Sequence, residues 1–187
     1  MVDKNLQDPT LPLWPERLES EWLRLSAADV LAQSSDRQHF FDCAHREFEL
    51  ARAQGSALAF LLLDIDDFKV ISDSYGQPES DVVLQRVTHC GRDSLRRGDL
   101  FGRMGSEGFA AVLPGCIPAM ARQVAERLQR EFQRLRFSHG EHGYGITMSQ
   151  GLTSLTREDD TLDALFARAD SAMDEAKRQG KNRIVAG

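Results

Sequence analysis

Two acids stand where this sequence could do chemistry. Asp64 closes the apolar run Phe60–Leu63, and Glu107 just precedes a second run, Phe109–Leu113. Residues 61–69 read Leu-Leu-Leu-Asp-Ile-Asp-Asp-Phe-Lys, and residues 103–109 read Arg-Met-Gly-Ser-Glu-Gly-Phe. Short apolar runs of this kind are buried-strand patterns. The two glycines and the serine between Met104 and Phe109 suit a tight hairpin turn. If the two strands are neighbours, Asp64 and Glu107 converge at one end of a sheet. Two hard oxygen donors there would suit a magnesium ion. A second titratable group, His139, Glu141 and His142, falls in a glycine-containing loop. It reads either as a solvated loop or as a metal site.

Positioning those acids needs a scaffold, and the apolar pattern supplies one. The unbroken run within Ser56–Asp64 predicts a strand buried on both faces. Residues 37–53 read as a helix with Phe40, Phe41, Ala44, Phe48 and Ala51 on one face. Residues 66–69 turn away from the strand, and a helix is predicted near Val82–Leu95, with Val83, Val87 and Leu95 inward. Ile117–Leu135 is amphipathic, with Ala121, Ala125, Leu128, Phe132 and Leu135 spaced by three and four. A strand over Tyr144–Leu152 follows, then a helix over Thr161–Gln179 whose stripe of Leu162, Leu165, Phe166, Ala169, Met173 and Ala176 is core. Gly180 suits the end of that helix, and Asn182–Ala186 makes a closing strand. This order of elements predicts an α+β domain.

Bulk properties narrow the function. The chain has 187 residues, enough for one domain with a sizeable core and a short extension. A net charge of −6 argues against nonspecific nucleic-acid binding while leaving room for a local phosphate site. Cys43, Cys90 and Cys116 form no close pair, which points to a reducing compartment without a disulfide framework. No apolar stretch is long enough to span a membrane, and the acidic, polar N-terminus is unlike a signal peptide. The cytoplasm is the expected location. Residues 1–15 carry three prolines and read as a mobile arm. From Glu16, Leu18, Trp22 and Leu25 repeat at helical spacing after Pro15. That helix either packs on its own domain or couples to a second copy or a sensor.

At the level of motifs the sequence resembles the GGDEF family of diguanylate cyclase domains. Arg103-Met-Gly-Ser-Glu-Gly-Phe109 is similar to the family's Arg-Tyr-Gly-Gly-Asp/Glu-Glu-Phe. Asp64-Ile-Asp-Asp-Phe-Lys69 resembles the metal-binding strand end, Asp73-Ser-Tyr-Gly76 and Asp81 the segment after it, and Ala169–Arg183 the C-terminal signature helix. Asp29-Val-Leu31, with Arg37 and Phe40, resembles the opening turn, but Ala32, Gln33, Ser34 and Asp36 replace its Thr, Gly, Leu and Asn. The resemblance covers residues 29–187, leaving 1–28 as an N-terminal arm and helix.

The resemblance implies a palm-like nucleotidyl-cyclase, ferredoxin-like fold: a central, mostly antiparallel five-stranded sheet wrapped by helices. It implies an activity in which two GTP molecules become cyclic di-GMP between two facing domains, with two Mg²⁺ (or Mn²⁺) ions activating the hydroxyl and neutralising phosphate charge. By match, Asp64, the Ile65 carbonyl and Glu107 are metal ligands, with Asp64 and Glu107 catalytic. Phe68, Gly105, Ser106, Lys177 and Lys181 line the phosphates, and Ser72 with Asp81 the guanine. Arg96-Arg-Gly-Asp99, four residues before Arg103, matches the inhibitory product site, where a guanidinium fork and a carboxylate suit phosphate and guanine. Read by itself it is a solvated loop with an ion pair. The fourth motif letter is Gly108, without a ligand, and Ser106 replaces a glycine. The expectation is therefore a degenerate domain, weak or inactive in catalysis, that binds cyclic di-GMP, GTP or both as a regulatory module. Its expected partners are a second copy of itself or an upstream sensor. The alternative is a working cyclase in which Asp66 or Asp67 supplies the missing carboxylate.

Overall fold

The structure, a computed structural model, describes residues 27–187, with side chains from Arg37 onward. The proposed arm and the Glu16–Leu25 helix lie outside the described residues. Strand β1 (Leu58–Ile65) is buried at every position. It pairs antiparallel with β3 (Gly108–Pro114) on one side and β6 (Met148–Ser154) on the other. Strand β2 (Leu100–Arg103) pairs antiparallel outside β3, and β7 (Ile184–Ala186) adds parallel outside β6. The order is β2-β3-β1-β6-β7. This is the α+β domain that the element order predicts, with the mostly antiparallel five-stranded sheet that the resemblance implies.

Side chains alternate across a strand, so β1 feeds two cores. Ala59, Leu61, Leu63 and Ile65 pack with α2 (Phe68–Asp93) and α3 (Pro118–Arg134). Leu58, Phe60 and Leu62 pack with α1 (Ala27–Gln54) and α4 (Leu162–Arg178). Full burial of one such side chain is worth about 1.5–3 kcal/mol. A charged side chain replacing any of them would have nowhere to reach water.

Three predicted boundaries change. Helix α1 starts at Ala27, so the block that resembles the family's opening turn is helical. No glycine or proline interrupts residues 27–54, and Gln33 stands at the turn's glycine position. Helix α2 begins directly after the Asp67 turn, earlier than the pattern predicts, and is broken at Gly76 (φ 81°, ψ 177°). Pro78 then restarts it, and Ser80 Oγ donates to the Gly76 carbonyl at 3.0 Å. The predicted strand 144–152 is two elements. Strand β5 (His142–Tyr144) pairs with β4 (Phe137–His139) in a separate hairpin, and β6 starts only at Met148. The hairpin is fixed to α2 by the Tyr144 hydroxyl donating to Glu79 at 2.7 Å and by Tyr75 stacked on Tyr144. The His139, Glu141 and His142 group thus lies in this hairpin, and no group of three or more metal-ligating side chains is gathered among the described residues. Cys43, Cys90 and Cys116 are free thiols. No described helix is long and apolar enough to cross a membrane.

Helix α4 crosses β6 at Gly151. A Cβ there would lie 1.9 Å from the Ala169 carbonyl oxygen and 2.5 Å from the Met173 nitrogen. Both are backbone atoms, so the helix itself would have to move. Gly151→Ala should lower stability by about 1–3 kcal/mol or more, the range for overpacking a tight core, read from urea unfolding. The loop before α4 is closed by Asp159. Burial works against its charge. The Thr156 N–H (2.7 Å) and hydroxyl (2.9 Å), with the Arg168 guanidinium (2.6 Å), outweigh burial and hold the carboxyl below its usual range. A carboxyl lowered on folding stabilises the fold above its unfolded pKa, about 3.9, and this contribution is lost as pH falls through the lower folded value. Asp159→Asn should therefore cost most near pH 7, and the gap to wild type should narrow as urea titrations are taken below pH 4.

Candidate functional site

Strand parity decides where the acids go. Asp64 follows Phe60 and Leu62 in the even series, so it points to the α4 side. Its Cα partner across the ladder is Gly108, which lies in the same series as Ala110 and Val112 of that core. The Ile65 N–H donates to the Glu107 carbonyl at 3.1 Å, which brings Glu107 beside the end of β1. The predicted meeting of Asp64 with Glu107 is therefore in place.

The hairpin that carries Glu107 is braced from within. Arg103 Nε donates to the Gly105 carbonyl at 2.7 Å and Nη2 to the Ser106 carbonyl at 3.0 Å, while the Met104 N–H donates to the Gly108 carbonyl at 2.8 Å. Arg103 thus braces the hairpin through Nε and Nη2. Both carbonyls, at Gly105 and Ser106, are committed to it.

Lysine 177, on α4, forms an ion pair with Asp64 Oδ2. Burial opposes the ammonium's charge, but Asp64 first, then Glu107 and Asp174, outweigh it and raise its pKa. Lys181 Nζ reaches Asp67 Oδ1 at 2.5 Å. Asp66, beside them, is buried and accepts from Thr147 Oγ1 (2.6 Å), Ser149 Oγ (2.6 Å) and the Asn182 N–H (3.0 Å). The guanine candidates are placed less tightly. Ser72 lies half-buried before the Gly76 break, and Asp81 lies exposed after it, accepting from Gln77 Nε2 at 2.8 Å. Phe68 is buried in the core at the start of α2, so only its backbone is available to a ligand.

A strand-end acid, a braced acidic hairpin and a lysine on the last helix are the arrangement that the motifs call for, and comparison with known proteins shows the family. The family described as diguanylate cyclase, GGDEF domain, matches residues 26–183. The chain belongs to the GGDEF family. It is 32% identical over 165 residues to the response regulator PleD of Caulobacter vibrioides, covering 87% of this chain and 36% of that protein. It is 27% identical over 169 residues to diguanylate cyclase A of Treponema denticola, covering 89% of this chain and 46% of that one. The chain thus spans less than half the length of these relatives. Among solved structures it is similar to the active GGEEF domain of a diguanylate cyclase from Vibrio cholerae (TM-score 0.74, 27% identity, 82% of this chain and 95% of that one). It is also similar to the GGDEF domain of DgcB from Caulobacter crescentus in complex with c-di-GMP (TM-score 0.76, 25% identity, 80% and 89%). The palm-like fold is therefore that of the family.

A second feature of this GGDEF domain is a cleft of about 580 Å³ between the end of α2 and α3, lined by Cys90, Asp93, Ser94, Leu95, Arg96, Arg127 and Glu131. Arg96 belongs to it but is also tied to Asp99, by Nε at 3.1 Å, and to the Pro114 carbonyl, by Nη2 at 2.5 Å. The Asp99 side chain is only 2% exposed and that of Arg96 55%. Arg127 was invisible to sequence reasoning. It sits on the polar face of an amphipathic helix, and no spacing rule links it to Arg96.

The donor set fits one divalent cation better than two. Asp64 and Glu107 are hard oxygen donors at one place. A Cβ built on Gly108 would lie 3.7 Å from Asp64 Oδ1 in ordinary contact, so the missing fourth-letter carboxylate would have stood beside Asp64. Both neighbouring acids hold partners of their own, Asp66 at Ser149 of β6 and the Asn182 N–H, and Asp67 in an exposed pair with Lys181. Gly108→Glu should therefore bind Mn²⁺ at least about 10-fold tighter than wild type, since disturbing even outer-shell partners costs about 10–100-fold. Calorimetric Mn²⁺ titration without nucleotide reads this directly.

Proposed function

We propose that this chain is a nucleotide-binding regulatory domain of cyclic di-GMP signalling that has lost most or all capacity to condense GTP. The observation that carries this is Gly108, which faces Asp64 without a carboxylate. With Asp64 paired to Lys177, a second divalent ion has too few oxygen ligands. Asp64, the Ile65 carbonyl and Glu107 would hold a single Mg²⁺, which when bound supplies charge neutralisation to phosphate oxygens. The chain's own residues bind rather than react. Lys177 and Lys181 attract phosphate, Asp81 and Ser72 offer one acceptor and one hydroxyl to guanine, and the hairpin backbone at Gly105 and Ser106 borders the pocket.

The regulatory ligand in this reading is cyclic di-GMP, held at the Arg96 cleft. Its two phosphates suit the guanidinium groups of Arg96 and Arg127, and Arg96 Nη1 is left for a ligand when Nε and Nη2 are engaged internally. Asp99 serves first to set the Arg96 fork, and it meets guanine only if that pair opens. Residues 29–187 form this module, and residues 1–28 connect it to a second copy or to an upstream sensor in the cytoplasm. Two measurements on the purified chain test the reading. Incubation with GTP and Mg²⁺, followed by chromatography, should yield no cyclic di-GMP beyond trace. Calorimetry should show cyclic di-GMP binding to wild type, weakened at least about 10-fold, equivalent to 1.4 kcal/mol, in Arg96→Ala and in Arg127→Ala. Steady turnover of GTP would favour the cyclase reading instead, and unchanged affinity in both variants would remove the cleft from it.

A further inference from the structure

Among the described residues, three that are not glycine have a left-handed backbone: Asp67 (φ 55°), Lys181 (φ 62°) and Asn182 (φ 47°). Such backbones are unfavourable for residues with a Cβ, and they persist only where the surroundings over-determine them. Asp67 and Lys181 are 114 residues apart in sequence, yet they touch. All three meet around one buried carboxylate, that of Asp66.

Asp66 fastens three segments. Its own N–H donates to the Thr147 carbonyl at 2.9 Å, and its Oδ1 accepts from Ser149 Oγ at 2.6 Å. Its Oδ2 accepts from Thr147 Oγ1 at 2.6 Å and from the Asn182 N–H at 3.0 Å. The loop at Asn182 is gripped from its other side, where the side-chain carbonyl oxygen accepts from Gln129 Nε2 (3.1 Å) and Gln133 Nε2 (2.7 Å) of α3. The ion pairs nearby are of another kind. Lys181 and Asp67 are exposed, at 41% and 62%, and exposed pairs stabilise little. They can exchange partners with an incoming anion, whereas the buried bonds of Asp66 cannot be exchanged without opening the fold.

We propose that Asp66 is a positioning residue for phosphate binding. It pins the loop 180–183 to the β1–α2 turn, so that Lys177 and Lys181 keep their places when a polyphosphate takes them from Asp64 and Asp67. The inference rests on the nucleotide-binding reading above and deepens it: the ligand of this face is a nucleoside triphosphate, recognised through its phosphates. It also assigns the second acid of Asp64-Ile-Asp66 a role other than metal ligation, since both its oxygens are used.

Asp66→Ala is the direct test. It removes both acceptor oxygens, so the Asn182 N–H and the Thr147 and Ser149 hydroxyls lose their shared partner. Calorimetry with GTP and Mg²⁺ should show about 10-fold weaker binding, while guanosine, which has no phosphate, should bind as it does to wild type by saturation-transfer NMR. Thr147→Val keeps the shape and removes one hydroxyl donor, and it should weaken GTP in the same direction by a smaller factor. If Asp66→Ala is poorly folded by circular dichroism, Thr147→Val decides alone. GTP binding unchanged in these variants overturns the proposal, as does parallel loss of GTP and guanosine, which marks a general loss of fold. Wild type that binds cyclic di-GMP but not GTP overturns this proposal alone. Binding of neither overturns the reading beneath it as well.

Discussion

A carboxylate at the end of a fully buried strand must find a compensating charge, and the site is arranged around that need. The Asp64 side chain is only 10% exposed. An uncompensated charge in such a place costs several kcal/mol, so the ammonium of Lys177 is a structural requirement before it is a functional group. What brings it there is the approach of α4 to β6. The helix lies against Gly151 at Ala169 and Met173, and Lys177 is one turn further on the same face, four residues past Met173. A missing side chain on one strand thereby sets the height of a lysine above the neighbouring strand.

The same arrangement explains how the motif differs at one letter without disturbing the fold. Gly108 lies in ladder register with Asp64, and the hairpin around it is braced by Arg103 through main-chain carbonyls. Those contacts do not depend on a side chain at 108. A glycine at this position is therefore structurally silent. Negative charge at the strand end is reduced by one, and the lysine that remains is sufficient to balance Asp64. Glu107, Asp174 and Asp64 all act on that ammonium, so the pocket remains a place where cation and anion are held close and can be exchanged.

Much of this was legible in the sequence, and the reasons are physical. The unbroken apolar run Phe60–Leu63 and the glycine-containing turn before Phe109 specify buried strands joined at one end of the sheet, where the Glu107 backbone comes beside the end of β1. The amphipathic stripes of α3 and α4 are strong because Ala121, Ala125, Leu128, Phe132, Leu165 and Ala169 are all fully buried. What sequence reasoning missed depends on the third dimension. The extent of α1 turned on the absence of a breaker at Gln33, where family pattern suggested a turn. The role of Asp66 could not be separated from those of Asp64 and Asp67, because three acids within four residues look alike until the Thr147 and Ser149 hydroxyls come into place. Arg127 and Arg96 meet across a cleft between two helices, and nothing local joins them.

The order in which the sheet closes has a consequence for how the domain comes into being. Strand β7 is the last element, and it joins β6 in parallel beyond the 180–183 loop. The central strand, both its antiparallel partners and all four described helices are synthesised first. Contacts between distant parts of a chain form slowly, and here the long-range bonds from Asp66 and Asp67 to residues near the C-terminal end come after everything else is made. A nascent chain can thus assemble most of its core before the bonds of Asp66 and Asp67 close, since they wait for the turn after α4.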